Sequence, residues 1–262
     1  MAPRTRLRAT EISLRKGTAA FPVVTAYDAP FARCAEAAGI DVLLVGDSLG
    51  MVVLGFASTA PVDLTDMVRH TAAVVRGSHL AHVIADLPFG TYESSDAEAV
   101  TSAIRLVKDG AASSVKLEGG GAMASRIHAI VEAGIPVCAH IGLLPQTASL
   151  GDGFTLRRDR DGLLHDAHSV ADAGAFAVVL EMVDPNIAAE ITAQLPIPTI
   201  GIGSGPSCDA QVLVLHDVLG LYPDPPRFAK AYANLANDAT NALRAYAGEV
   251  RSGAFPPRRT PR

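Results

Sequence analysis

The sequence predicts an α/β fold, a single (β/α)8 (TIM) barrel, from three observations. Short apolar runs rich in Val, Leu and Ile recur along the chain and are typical of strands buried on both faces. Most of these runs are separated by helical patterns, and strand–helix–strand repetition at this spacing indicates parallel strands joined by crossovers. The 262 residues, 49% of them hydrophobic, are enough for one large core and match one barrel domain.

Seven strands are predicted, and a short helix over residues 10–15 precedes them. The predicted strands are residues 22–25, 42–46, 82–85, 114–117, 136–140, 176–180 and 198–201. An eighth strand is expected near residues 211–215, and eight strands favour a closed barrel over an open doubly wound sheet. The Rossmann form of that sheet needs a G-x-G-x-x-G motif after its first strand, where this chain has Ala26-Tyr27-Asp28-Ala29-Pro30.

Helices are predicted between the strands over residues 31–38, 64–76, 96–108 and 122–132. The first of them is followed by Gly39, a residue typical of a helix C-terminus. A last helix is expected from about residue 227 to residue 250. We therefore predict a catalytic barrel over residues 1–250, with an extra N-terminal helix and C-terminal helices, and a disordered, basic, Pro-rich tail over residues 251–262.

Charge and cysteine content argue against several classes of protein. The chain has 22 basic and 27 acidic residues and no basic cluster interleaved with aromatic residues, so no nucleic-acid partner is expected. Cys34, Cys138 and Cys208 are few, odd in number and embedded in apolar segments, which favours buried thiols in a reducing, cytoplasmic compartment. No run approaches the roughly 18 apolar residues of a membrane span, so no membrane partner is expected either.

Four apolar runs are followed by an acidic residue: Asp47, Asp86, Glu118 and Glu181. Because the ends of parallel strands meet at one mouth of a barrel, these carboxylates are expected to converge. Mg²⁺ takes one or two protein carboxylates together with water and substrate oxygens, which makes Asp47 and Asp86 candidate metal ligands. The alternative for each is a structural role, with Asp47 capping a helix and Asp86 anchoring the turn that follows it.

Lys116 and Glu118 are two residues apart, so a regular strand points both side chains the same way. Lys116 could hold a substrate carboxylate and Glu118 could orient a metal-bound water, or the two could be an ion pair that fills the barrel interior. Glu181 follows four apolar residues and is a candidate general base, the alternative being a solvent-facing carboxylate. His140 ends another apolar run and is given only a supporting role.

Several strings of residues resemble the ketopantoate hydroxymethyltransferase family. They are Thr25-Ala26-Tyr27-Asp28, Leu44-Val45-Gly46-Asp47-Ser48-Leu49-Gly50-Met51, His70-Thr71-Ala72-Ala73-Val74, Ala85-Asp86-Leu87-Pro88-Phe89-Gly90, Val115-Lys116-Leu117-Glu118-Gly119-Gly120 and Gly201-Ile202-Gly203. The resemblance extends from about residue 10 to residue 253. It implies a (β/α)8 barrel that uses Mg²⁺ and 5,10-methylenetetrahydrofolate to hydroxymethylate 3-methyl-2-oxobutanoate, giving 2-dehydropantoate for pantothenate and coenzyme A biosynthesis. It also implies a homo-oligomer, since the family forms homodecamers.

The resemblance also implies roles for individual residues. The metal positions are Asp47 and Asp86, with Glu118 in the outer shell of the metal. The substrate positions are Asp47, Ser48, Asp86 and Lys116. Glu181 falls on the proposed proton acceptor, and His140 matches a family histidine to which we give a supporting role.

The sequence departs from the family pattern at Ala57, Leu144, Asp152 and Asp184, and over residues 157–162. We expect these loops to cover the mouth of the barrel, so the departures bear on the one-carbon donor and the keto-acid side chain more than on the metal. Two alternatives stay open. One is a Mg²⁺-dependent C–C lyase or mutase of the phosphoenolpyruvate mutase and isocitrate lyase type, and the other is a non-catalytic barrel that binds a keto acid. The choice between Mg²⁺ and Mn²⁺ also stays open.

Overall fold

Eight parallel strands close into a barrel in chain order, as the sequence predicts. The computed structural model describes residues 5–148, 150, 153–222 and 224–257. The strands are β1 (Phe21–Thr25), β2 (Val42–Val45), β3 (His82–Asp86), β4 (Ser114–Glu118), β5 (Val137–Gly142), β6 (Ala177–Glu181), β7 (Thr199–Ile202) and β8 (Ala210–Leu213). The expected eighth strand is therefore present, and the hydrogen bonds between β8 and β1 close the barrel.

Helices follow most strands, and the extra N-terminal helix is confirmed. They are α1 (Ala9–Ser13), α2 (Ala29–Ala37), α3 (Leu49–Val52), α4 (Leu64–Gly77), α5 (Asp96–Lys108), α6 (Ala124–Glu132), α7 (Pro145–Ala148), α8 (Arg160–Asp172), α9 (Pro185–Gln194), α10 (Leu215–Leu219) and α11 (Leu235–Ser252), with a 3₁₀ turn at Gly121–Met123. The chain forms two compact units: residues 1–214 contain all eight strands, and residues 215–262 contain α10 and α11.

The predicted C-terminal helix begins too early and ends too early. Its start is at Leu235 because Asn234 caps it, accepting a hydrogen bond from the backbone N–H of Asn237. The helix runs through Arg251 and Ser252, which the predicted tail included, and it ends where Gly253 adopts a left-handed φ of 76°. The last part of that tail, residues 258–262, lies outside the described residues.

The amino-terminal end of the barrel is closed by α1. Ile12 of this helix is fully buried and joins a cluster with Phe21, Val23 and Phe176 near the strand starts. Burying one such side chain stabilises a fold by about 1.5–3 kcal/mol. Apolar packing therefore fills the amino-terminal end, while the polar strand-end residues lie at the other end.

Burial of the cysteines follows the prediction at two positions and departs from it at one. Cys138 and Cys208 are buried free thiols, whereas Cys34 is exposed. Cys34 lies on α2, which buries Ala32 and Ala35, so its side chain falls on the outer face of the helix. In the described part of the chain, no helix has both the length and the apolar character needed to cross a bilayer.

Candidate active site

The predicted convergence of the strand-end carboxylates is confirmed. Asp86, Glu118 and Glu181 are the last residues of β3, β4 and β6, and Asp47 lies two residues after β2. Asp47, Asp86 and Glu118 are buried, and the Glu181 side chain is 15% exposed. Parallel strands in register bring these ends to one mouth.

Asp47 and Asp86 lie against each other in this mouth. The backbone N–H of Asp47 donates to Asp86 Oδ2 at 3.2 Å. Gly46 leaves room for the Ser48 side chain, because a Cβ at position 46 would lie only 2.8 Å from Ser48 Oγ. Burial and the neighbouring charge of Asp86 raise the pKa of Asp47 to about 8. Burial also raises the pKa of Asp86, although Lys116 opposes the shift.

The contacts of this pair differ from those expected if Asp47 capped a helix and Asp86 anchored the turn that follows it. Helix α3 is preceded by Ser48, which makes no side-chain cap, while the Asp47 carboxylate accepts from Gln146 Nε2 at 2.7 Å. Asp86 Oδ2 contacts Lys116 Nζ at 3.2 Å, and Asp86 Oδ1 is buried without a hydrogen-bond partner among the described residues. An orphaned carboxylate oxygen beside a second carboxylate is suited to a cation.

Lys116 and Glu118 point to the same side of β4, as expected, and both reach His140 of β5. Lys116 Nζ lies 3.3 Å from His140 Nδ1, and Glu118 Oε1 lies 3.5 Å from the same nitrogen. Burial opposes the charge of Lys116, but the carboxylates of Asp86, Glu118 and Asp47 outweigh burial and raise its pKa. Lys116 therefore stays protonated, and its closest acidic partner is Asp86 rather than Glu118.

His140 connects Glu118 to Glu181. Its Nε2 lies 3.3 Å from Glu181 Oε2, although the two atoms are not aligned as a hydrogen bond. Burial and the charge of Lys116 favour the neutral imidazole, but the contacts with Glu118 and Glu181 outweigh them and raise the pKa of His140 to about 9. His140 is thus charged at neutral pH and is more central than the sequence indicates.

Two residues that were assigned no role from the sequence complete the cluster, Gln146 on α7 and Tyr92 before α5. The Gln146 backbone N–H donates to Glu118 Oε2 at 3.1 Å, and Tyr92 Oη donates to Gln146 Oε1 at 2.6 Å. The available signal was the position of Gln146 immediately after Pro145, in the loop that follows β5.

Ser48 is held by a second tyrosine at the other side of Asp47. The oxygens of Ser48 and Tyr27 are 2.9 Å apart. Burial raises the pKa of Tyr27, so its hydroxyl keeps its proton. The residue predicted to contact the substrate is therefore fixed by a hydrogen bond.

The loops that depart from the family pattern meet beside Glu181. Arg157 donates its backbone N–H to Met182 O at 2.7 Å, and its carbonyl accepts from Asp184 N at 2.9 Å. Met182 has a left-handed φ of 49°, which is uncommon for a residue with a side chain. Asp184 caps α9. Two departures, over residues 157–162 and at Asp184, thus form one paired segment at the end of β6.

The remaining departures are less informative. Ala57 is exposed and Leu144 is half-buried, whereas Asp152 lies outside the described residues. Residues 157–159 line a cavity of about 290 Å³ together with Gly142 and Leu163. Gly142 pairs with Glu181 across β5 and β6, although Glu181 itself does not line this cavity.

The donor set fits a divalent cation held by two carboxylates. Within the described residues no three His, Cys, Asp or Glu side chains form a metal-binding group. Mg²⁺ nevertheless commonly takes only one or two protein carboxylates and completes its shell with water and substrate oxygens. With all four carboxylates ionised, the cluster would exceed the charges of Lys116 and His140 by two negative charges, which a divalent cation would offset.

Solved structures share this fold. Phosphoenolpyruvate phosphomutase from Streptomyces platensis subsp. rosaceus superposes with a TM-score of 0.63 at 17% identity, covering 97% of this chain and 92% of that one. Phosphonopyruvate hydrolase in complex with oxalate and Mg²⁺ gives a TM-score of 0.61 at 15% identity, covering 94% and 88%. At these identities the likeness shows the fold alone.

Sequence relatives are much closer. The family model described as ketopantoate hydroxymethyltransferase matches residues 6–258. Proteins named 3-methyl-2-oxobutanoate hydroxymethyltransferase from Moorella thermoacetica and Aeropyrum pernix are each 50% identical, covering 98% and 97% of this chain and 97% and 94% of their own lengths. The relative with that name from Carboxydothermus hydrogenoformans is 52% identical, covering 89% of this chain and 87% of its own. The chain therefore belongs to the ketopantoate hydroxymethyltransferase family.

Proposed function

We propose that the protein catalyses the Mg²⁺-dependent transfer of a hydroxymethyl group from 5,10-methylenetetrahydrofolate to 3-methyl-2-oxobutanoate, giving 2-dehydropantoate for pantothenate biosynthesis. One observation carries the proposal. In a chain of this family, four strand-end carboxylates lie around Lys116 and His140 in a single cluster, of which only Glu181 is partly exposed. Such a cluster can bind a cation and a keto acid and can hold a base beside them.

Substrate binding is assigned to the side of the cluster formed by β2, β3 and β4. A Mg²⁺ ion held by Asp47 and Asp86 would polarise the keto oxygen and stabilise the negative charge that develops there. Lys116, kept charged by its acidic neighbours, neutralises the carboxylate of the keto acid and fixes its orientation. Ser48, held by Tyr27, supplies a further polar contact.

Proton removal is assigned to Glu181 at the end of β6. Its carboxylate accepts the C3 proton, and the adjacent imidazolium of His140 holds it in place. The C3 carbon then bonds to the methylene carbon of the donor, both of whose bonds to nitrogen break, and the oxygen of a water molecule bonds to the same carbon as the new hydroxyl. The proton from C3 and one proton of that water end on the two nitrogens. Overall one water is consumed and tetrahydrofolate is released. The cavity beside Gly142 is our candidate space for part of the donor.

Location and assembly are further parts of the proposal. We infer a cytoplasmic protein that forms a homo-oligomer and binds no nucleic acid. These inferences rest on the charge and cysteine content of the chain and on the family resemblance. No contact in the cluster favours the lyase, mutase or non-catalytic alternatives over transfer.

Proton exchange tests the assignment without the donor. In D₂O with Mg²⁺, the wild-type protein should exchange the C3 proton of 3-methyl-2-oxobutanoate, as followed by NMR. Glu181→Gln keeps the shape of the side chain but removes the proton acceptor, so exchange should fall about 10²-fold or more. Glu190→Gln is the matched control, because Glu190 pairs with Arg160 on the surface and should leave exchange unchanged. Exchange at the wild-type rate in Glu181→Gln would show that another group is the base.

Calorimetry tests the donor separately. With Mg²⁺ and the keto acid present, 5,10-methylenetetrahydrofolate should bind, and the complete mixture should form 2-dehydropantoate. Proton exchange without any folate binding would support the lyase or the keto-acid-binding alternative instead.

A further inference from the structure

We propose that Gln146 is a positioning residue for the candidate metal site, holding Asp47 and Glu118 in the arrangement that binds the cation. The inference rests on the proposed function, because it takes Asp47 and Asp86 as the metal ligands. The family resemblance implied no role for Gln146. Its side chain nevertheless lies within the acidic cluster, and the residue is only 2% exposed.

Every polar group of the Gln146 side chain is engaged. Nε2 donates to Asp47 Oδ2 at 2.7 Å and to Leu87 O at 2.9 Å, and Oε1 accepts from Tyr92 Oη at 2.6 Å. An amide has two N–H donors, and both are used. The backbone N–H of the same residue donates to Glu118 Oε2 at 3.1 Å. Gln146, on the helix after β5, thus ties the end of β4 to the loop after β2.

The orientation of this amide is determined by its partners. The carbonyl of Leu87 can only accept a hydrogen bond, and so can Asp47 in the ionised form that holds a cation, so the nitrogen must face both. A flipped amide would place Oε1 against two acceptors and leave two buried groups without donors, at a cost of about 1–3 kcal/mol each. The structure therefore requires a donor at this position.

This donor fixes the rotation of the Asp47 carboxylate. One oxygen of Asp47 is committed to Gln146, while the backbone N–H of Asp47 is committed to Asp86. Outer hydrogen bonds of this kind orient metal ligands, and removing one typically costs about 10- to 100-fold in metal affinity or activity. Gln146 should therefore affect cation binding without touching the substrate.

Mn²⁺ binding, followed by the EPR signal of the free ion, tests the inference independently of turnover. Gln146→Met keeps a similar volume and removes the donors, so Mn²⁺ affinity should fall about 10- to 100-fold. Gln146→Glu places a further carboxylate against Asp47 and Leu87 O and should alter Mn²⁺ affinity at least as much. Tyr92→Phe removes the partner of Oε1 together with the hydrogen bonds of Tyr92 Oη to the backbone of Glu118, and its expected loss is about 2- to 10-fold.

Kinetics with the keto acid separates positioning from chemistry. In Gln146→Met, saturating Mn²⁺ should restore most of kcat, because the base and the lysine are intact. The concentration of Mn²⁺ needed for half-maximal activity should rise in parallel with the dissociation constant. A loss of kcat that saturating Mn²⁺ leaves unchanged would contradict a positioning role.

Ser114→Ala is the matched control for simple destabilisation. Ser114 is fully buried, bonds to His82 Nε2 at 2.8 Å and lies at the opposite end of the same strand as Glu118. This variant should lower the melting temperature and leave Mn²⁺ affinity within about twofold of wild type.

Two results would overturn the inference. One is folded Gln146→Met and Gln146→Glu proteins that bind Mn²⁺ as tightly as wild type, and the other is a wild-type protein that binds no Mn²⁺. If Gln146→Met does not fold, wild-type affinity in Tyr92→Phe counts against it in the same way. The two hypotheses can fail separately. If the Gln146 variants lose Mn²⁺ affinity but the wild-type protein transfers no hydroxymethyl group, the proposed function is refuted and the inference stands.

Discussion

The two ends of the barrel carry buried acidic residues whose pKa values are shifted in opposite directions. At the amino-terminal end, Asp209 accepts hydrogen bonds from the backbone N–H groups of Gly17 and Thr199 and contacts Lys16 Nζ at 2.9 Å. Burial opposes its charge, but these bonds outweigh burial and lower the pKa of Asp209. At the carboxyl-terminal end, Asp47 and Asp86 lie together and their pKa values are raised.

The acidic residue at one end of the barrel therefore stabilises the fold, whereas the acidic pair at the other end is suited to a function. A carboxylate with a lowered pKa contributes to the free energy of unfolding, whereas a pair with raised pKa values opposes folding in its charged form. The carboxyl-terminal end therefore holds an unfavourable charge arrangement that a cation would relieve. The contrast predicts opposite effects when the charge at each end is removed.

The largest expected effect is on activity at the carboxyl-terminal end. Asp86→Asn removes a candidate metal ligand, so hydroxymethyl transfer should fall by about 10²-fold or more and Mn²⁺ binding should weaken strongly. In metal-free buffer the same substitution should leave the melting temperature unchanged or raise it, because burial raises the pKa of Asp86 in the folded protein. Full activity in a preparation treated with chelator would contradict the metal assignment altogether.

The next effect is on stability at the amino-terminal end. Asp209→Asn removes the charged partner of Lys16 and weakens the hydrogen bonds to Gly17 and Thr199, so the free energy of unfolding should fall by about 2–4 kcal/mol. The protein that remains folded should keep its activity within about twofold. Urea unfolding and the transfer assay check the two parts, and a large loss of activity in folded Asp209→Asn would break the comparison.

The pH dependence of stability should have opposite signs at the two ends of the barrel. Because the pKa of folded Asp209 is lowered, its contribution is complete above the unfolded pKa of about 3.9 and is lost as the pH falls through the folded value. Because the pKa of folded Asp47 is raised to about 8, the folded state holds a proton that the unfolded state lacks between about pH 4 and pH 8. Metal-free wild-type protein should therefore lose stability relative to Asp47→Asn as the pH rises from 5 to 8. Urea unfolding with chelator at both values measures this change, and a constant difference between the proteins would contradict it.

The barrel was predictable because local patterns determine it. Apolar runs and the helical segments between them place all eight strands within a few residues of their observed bounds. The C-terminal helix was less predictable, since its start depends on the Asn234 cap and Ala-rich sequence alone extends the pattern too far. Strand-end position also predicted that the carboxylates converge, because strand polarity fixes where strand ends meet.

The rest of the cluster depends on contacts between distant segments. Gln146 lies on a one-turn helix after β5, and nothing in its neighbourhood along the chain indicates that it reaches Asp47, 99 residues away. Tyr92 likewise joins the cluster by hydrogen bonds to Glu118 of β4 and Gln146 of α7, both distant along the chain. The charge of His140 arises from Glu118 and Glu181, which reside on the two neighbouring strands. Such roles follow from packing, which sequence periodicity does not encode.

The smallest expected effect concerns Ser48, whose oxygen lies 2.9 Å from that of Tyr27. Ser48→Ala removes one polar contact to the substrate, so KM for 3-methyl-2-oxobutanoate should rise about 2- to 10-fold with little change in kcat, the range of one hydrogen bond. Tyr27→Phe leaves the serine in place but frees its hydroxyl to rotate, and the expected increase in KM is smaller.

Mn²⁺ affinity separates this contact from the metal site. Ser48 follows Asp47 directly, yet its hydroxyl is held by Tyr27 rather than by either carboxylate, so Ser48→Ala should bind Mn²⁺ as wild type does. A rise in KM with unchanged Mn²⁺ affinity would assign Ser48 to the keto acid. A parallel loss of Mn²⁺ affinity would instead place Ser48 with Asp47 in the cation site, and the functional end of the barrel would then extend to the start of α3.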